Sequence, residues 1–149
     1  MSKQYRAKIT RERGSEDMDL LDKQKVKNII RELYPDHSVY LNYFLWHSKS
    51  ENKIKFSDHL KECDVKDCEY LSRPDVLCWA RWQDHKLSKP YVIEIDGDVH
   101  RGDHKRQVRY FALEVPLIVI NKADLKEIAM SWQEFIISEM ERLKINKQG

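Results

Sequence analysis

Apolar residues recur along the chain with two periods, and those periods divide it into elements. Val26, Ile29, Ile30 and Leu33 follow helical spacing. Ser15 suits the cap of that helix, Glu16, Asp17 and Asp19 suit its first turn, and Pro35 ends it. Residues 38–46 are dense in aromatic and branched side chains and predict one strand. Residues 73–79 and 90–96 predict two more, and the short charged link between them makes an antiparallel pair. A helix over 103–113 is expected to bury Val108, Phe111 and Ala112. Residues 115–120 are apolar apart from Pro116, as in an interior strand covered on both faces, with the proline at its start. In the last helix Ser131 and Glu134 form a capping box, and Trp132, Phe135, Ile136, Met140 and Leu143 form the packing stripe. Residues 47–72 show no readable period. The order helix, strand, strand, strand, helix, strand, helix predicts an α/β domain with a mixed sheet of about four strands flanked by helices.

Composition narrows the setting. The chain has 149 residues, enough for one domain with a sizeable core, expected over 15–149. Residues 1–14 carry Lys3, Arg6, Lys8, Arg11 and Arg13 with few apolar partners and read as a basic flexible arm. Charged residues are 35% and hydrophobic ones 41%, which fits a globular fold rather than a disordered chain. The net charge of +2 announces no global basic field, so a polyanion-binding surface must come from local clustering. No apolar run reaches the length of a membrane span and no secretory leader is evident, so a cytoplasmic protein is expected. Three cysteines fit reduced thiols better than a disulfide framework. His59, Cys63 and Cys68 raise structural Zn²⁺, but their spacing matches no tight paired-ligand pattern, and buried free thiols are the stronger reading.

Candidate chemistry sits on the two central strands. Alternation puts Asp75, Leu77 and Trp79 on one face of the first, and Glu94 and Asp96 on one face of the second. Three carboxylates then converge, and carboxylates within an apolar sheet resist burial unless paired, protonated or holding a cation. Oxygen donors suit Mg²⁺ or Mn²⁺. Against this stands a plainer picture, with Asp75 opening a strand after a turn and Glu94 and Asp96 on a solvated face; from these residues alone the two stand level. Asp19 and Asp22, one to two turns before Val26, are within reach of the sheet, although solvated first-turn charge explains each as well. Gly97 permits a turn after the second strand, and His100 beyond it is a candidate acid or phosphate contact. His104, Lys105, Arg106 and Arg109 form either an ordinary solvated helix face or a phosphate-contacting one.

Pro74-Asp75, then Glu94-Ile95-Asp96-Gly97 with His100, Asp103 and Arg106, followed by the apolar strand 116–120, resembles the PD-(D/E)xK nuclease superfamily. Within it the pattern is nearest to the branch of very-short-patch mismatch repair endonucleases and their relatives. The resemblance spans roughly residues 18–121, with its sharp motifs confined to 73–106. It implies a restriction-endonuclease-like core and a Mg²⁺- or Mn²⁺-dependent endodeoxyribonuclease serving DNA repair or restriction. By the same resemblance Asp75, Glu94 and the Ile95 backbone carbonyl hold metal, and one acid of the first helix, Asp19 or Asp22, joins them. Asp96 stands where the family motif has lysine, and is read as binding a second ion or orienting the attacking water. His100 is placed at the leaving group or a phosphate, and Lys105 and Arg106, with His104 and Arg109, at the DNA backbone. Two alternatives stay open: a Holliday-junction-type resolvase acting as a homodimer, and a catalytically inactive nucleic-acid-binding module of the same fold.

Overall fold

Helical spacing at residues 26–33 is realised in α1 (Arg13–Leu33), whose Val26 and Ile30 are fully buried. The computed structural model describes residues 13–58, 67–80, 89–96 and 103–145, with the side chains of 13–19, 89 and 103–106 outside that description. After α1 the chain runs through β1 (Ser38–Leu41), β2 (Phe44–Ser48), β3 (Lys53–Ser57), β4 (Cys68–Ser72), β5 (Val76–Ala80) and β6 (Lys89–Ile95). It continues through α2 (Asp103–Ala112), β7 (Leu117–Ile120), α3 (Lys122–Glu127) and α4 (Trp132–Leu143).

The main sheet has the order β1-β5-β6-β7. Its first two pairings are antiparallel and β6–β7 is parallel, giving the expected mixed four-stranded sheet. Alternation along the strands builds two cores. Val76, Cys78, Tyr91, Ile93, Ile118 and Ile120 face one side and meet Val26 and Ile30 of α1 with Ile136 and Met140 of α4. Leu77 and Val92 face the other and meet Tyr110 of α2 with Leu45 and Leu71 of a second sheet. Full burial of such a side chain contributes about 1.5–3 kcal/mol, so the double-sided covering of β5 and β6 is a principal source of stability.

That second sheet, β3-β2-β4, was not anticipated. Residues 38–46 are not one strand: Asn42 takes a left-handed conformation (φ 63°), and the chain passes from the main sheet at β1 into the second at β2. Asn tolerates this region better than most residues because its short polar side chain bonds locally. The unread stretch 47–72 contains β3 and β4, both antiparallel to β2.

Two further expectations are corrected. On α2, Val108 and Phe111 are 53% and 86% exposed and Ala112 is exposed as well; Tyr110 is the residue that packs inward. Cys68 is disulfide-bonded, so it is neither a free thiol nor a zinc ligand, and the thiol argument for a reducing compartment loses that support. His59 and Cys63 lie outside the described residues. Cys78 is free and buried. Of the expected capping box the N-cap half is present, with Ser131 Oγ accepting from the Glu134 amide at 3.0 Å. Among the described residues no helix is long and apolar enough to cross a membrane.

Candidate functional site

Four chain segments meet at one end of the main sheet, where β1, β6 and β7 finish and β5 begins. Asn42 follows β1, Asp75 precedes β5, Asp96 follows β6, and Asn121 and Lys122 follow β7. The α1 helix adds Asp22 and Lys23 from the side. Polar residues gather here because strands end or begin at this edge and their backbone groups need new partners.

The β5–β6 ladder ends with Val76 paired to Ile93, and Asp75 comes just before it. Asp75 Oδ2 accepts the Ile95 backbone N–H at 2.7 Å, locking the start of β5 to the end of β6. Glu94 is only 7% exposed. The Tyr110 hydroxyl donates to its Oε1 at 3.5 Å, and Tyr110 in turn shares a short hydrogen bond with Ser72 Oγ. A carboxylate buried this far is costly without such donors or a cation beside it. Glu94, through Tyr110, lies on the Leu77–Val92 side of the sheet, while Asp75, just before β5, meets the Ile95 amide and Lys23 of α1.

Asp96 departs from the strand alternation. The strand stops at Ile95, and Asp96 turns into the left-handed region (φ 54°) while its N–H still bonds to Ile120 O at 2.6 Å. Its Oδ1 accepts the Lys122 N–H at 2.9 Å, and its Oδ2 lies 3.4 Å from Lys122 Nζ. Lys122 Nζ also donates to Asp22 Oδ2 at 2.8 Å. The lysine therefore bridges Asp22 of α1 to Asp96 at the end of β6. The hydrogen bond that Lys122 donates to Asp22 foremost, with Asp96 behind it, holds the Lys122 ammonium above its usual range.

A second ammonium serves Asp75. Lys23 Nζ lies 3.8 Å from Asp75 Oδ1 and 3.5 Å from Asn42 Oδ1. Lys23 thus serves Asp75, and Lys122 serves both Asp22 and Asp96.

Comparison of the chain with protein-family models, curated proteins and solved structures returns no match. The function must be argued from the site itself.

Of the residues singled out by sequence, the structure brings Asp22, Asp75, Glu94, Ile95 and Asp96 to one sheet end. Asp19 lies on α1, one turn before Asp22 and Lys23, with its side chain outside the description. His104, Lys105 and Arg106 lie in the first half of α2 under the same restriction, and His100 is outside the described residues. Arg109 is exposed on α2. Lys23, Asn42 and Lys122 were missed. Lys23 had a legible signal, since it continues the buried stripe of Val26 and Ile30 at three- and four-residue steps yet is charged. Lys122 had none, because its reach to Asp96 depends on the parallel β6–β7 pairing.

Among the described residues no three His, Cys, Asp or Glu side chains form a metal-holding group. The protein's share of a cation shell would be two carboxylates and the Ile95 carbonyl. That is a fit for Mg²⁺, which binds through one or two carboxylates and completes its shell with water and substrate phosphate. All donors are hard oxygens, the kind such an ion prefers.

Proposed function

We propose that the chain is a metal-dependent endonuclease that hydrolyses phosphodiester bonds in nucleic acid, with DNA the expected substrate. The observation that carries this reading is the hydrogen bond from the Ile95 amide to Asp75, which holds one carboxylate at the end of β6, where Ile95 directly follows the buried Glu94 in sequence. Asp75, Glu94 and the Ile95 carbonyl are the residues that would hold Mg²⁺ or Mn²⁺. Bound there, the ion supplies a water of lowered pKa and stabilises charge developing on phosphate oxygens.

The chain's own residues do the positioning. The Ile95 amide fixes the orientation of Asp75. Tyr110, backed by Ser72, orients Glu94 from the apolar side. Lys122 remains an ammonium, so it serves as a fixed positive charge rather than a base, holding Asp96 against Asp22. Its placement supplies cationic charge near the site in a chain whose motif-lysine position is Asp96.

The inactive binding module retains one argument. Lys23 faces Asp75 Oδ1 where a cation would also be drawn, and Lys122 already engages Asp96. Labelled linear, mismatched and branched DNAs and an RNA, each incubated with Mg²⁺, Mn²⁺ or EDTA, separate the two. The nuclease reading expects cleavage of at least one substrate with metal and none with EDTA. Binding without cleavage under every condition selects the inactive module.

A further inference from the structure

The α1 helix carries a basic row that leads away from the carboxylates. Lys23, Lys27 and Arg31 recur every four residues and so lie close to one line, about 6 Å apart along the axis. Lys23 is at the site, against Asp75 and Asn42. Lys27 and Arg31 line a pocket of about 480 Å³ together with His37, Ser38 and Tyr40 from the start of β1. β1 is an edge strand of the main sheet. The early part of α1 meets its end at Asn42, and the late part faces its start at Ser38, so the two run side by side in opposite directions.

Charge in this groove is one-sided. The pocket lining holds two cations and no carboxylate. Among the described residues, neither Lys27 nor Arg31 enters an ion pair or side-chain hydrogen bond. By contrast Lys25, on another face of the same helix, stacks over the Trp132 ring at 4.2 Å. Cations left unneutralised in this groove are suited to an oxyanion, because ammonium and guanidinium groups both donate to it. Repetition along a line that starts at the carboxylates is suited to successive phosphates of one strand rather than to a single anion.

We infer that the groove between α1 and β1 is a phosphate track, in which Lys27 and Arg31 bind the backbone of a nucleic-acid strand whose reacting phosphate lies at Asp75 and Glu94. The inference rests on the nuclease reading for the far end of the track, but the track itself is read by binding alone. Phosphate contacts set register and affinity without reading sequence.

Fluorescence anisotropy with labelled single-stranded DNA, duplex DNA and RNA, in EDTA and over roughly 50 to 200 mM salt, tests it. Lys27→Ala and Arg31→Ala should each weaken binding several-fold for unrelated sequences. Each should also flatten the slope of log K against log[salt] by about 0.7 to 0.9. Arg31→Lys should retain most of the slope, and unchanged circular dichroism would confirm that the variants fold. Unchanged affinity and slope in both alanine variants would overturn the track, as would a wild-type chain that binds none of the three. Displacement of the strand by an equal phosphate concentration of inorganic phosphate or a mononucleotide would also overturn it, in favour of a small-anion pocket. Since no turnover occurs in EDTA, intact binding by a chain that cleaves nothing with Mg²⁺ would remove the nuclease reading and leave the track standing.

Discussion

The Asp75 carboxylate accepts the Ile95 amide at 2.7 Å across 20 residues of sequence, so the side chain before β5 is oriented by the last residue of β6. This bond turns a strand-pairing register into a site. It holds one oxygen of Asp75 and leaves the other facing Lys23 Nζ at 3.8 Å.

Asp75→Asn and Asp75→Ala should therefore separate two roles. Asn keeps an oxygen acceptor for the Ile95 amide but removes the charge, so melting temperature should hold while Mn²⁺ affinity drops. Ala loses the acceptor as well and should cost about 1.5–3 kcal/mol, the range for hydrogen bonds to charged groups. Calorimetric Mn²⁺ titration beside thermal melts reads both, and equal Mn²⁺ affinity in Asn and wild type would detach Asp75 from any cation.

Lys122 links pH to stability. Its folded-state pKa is raised above the unfolded value, so its contribution is fully present below the usual lysine value of 10.5 and is lost as pH rises through the folded value. The side chain is 39% exposed, which limits the bridge to the surface ion-pair range of about 0.2–1 kcal/mol. Lys122→Met should be less stable than wild type by that amount in urea at pH 8, and the gap should close well above pH 10.5. A gap that persists at high pH would place the effect in packing of the lysine stem instead.

Cys78 is fully buried and burial pushes its thiol up to about 12, with Tyr91 hydrogen bonding opposing the shift. Thiolate is the reactive form, so Cys78 should resist a thiol reagent at pH 8 in the native chain and react after unfolding. Peptide mapping of the labelled position checks this. Rapid native labelling at Cys78 would mean that the α1–α4 side of the sheet opens readily.

Ile93 is fully buried between α1, α4 and β5, one residue from Glu94. Ile93→Ala should destabilise by about 2–5 kcal/mol, through lost burial and the cavity left behind. Chemical denaturation reads the value, and a loss below about 1 kcal/mol would show that the core collapses around the site.

Much of the main sheet was legible because β5, β6 and β7 are short apolar runs bounded by turn residues, and a buried sheet demands that pattern. Glu94 was legible for the same reason, since period-two alternation decides its face. Three features escaped. Asn42 breaks one apolar run into two strands through a left-handed residue, and apolar content alone does not register that turn. On α2, Tyr110 packs inward while Phe111 stays exposed, so hydrophobicity picked the wrong neighbour by one position. Asp96 kept its place in the motif but left the strand alternation, because the chain turns there and Lys122, brought in by a parallel pairing, takes its carboxylate.

The most direct test concerns Glu94, buried at 7% exposure beside the Tyr110 hydroxyl. Single-turnover cleavage by wild type and Glu94→Gln should be compared in Mg²⁺, on a substrate that wild type cuts and with binding measured separately. The account predicts a loss greater than the 10- to 100-fold typical of changes outside a metal's immediate ligands, with strand affinity nearly unchanged. Cleavage by Glu94→Gln at the wild-type rate would contradict it.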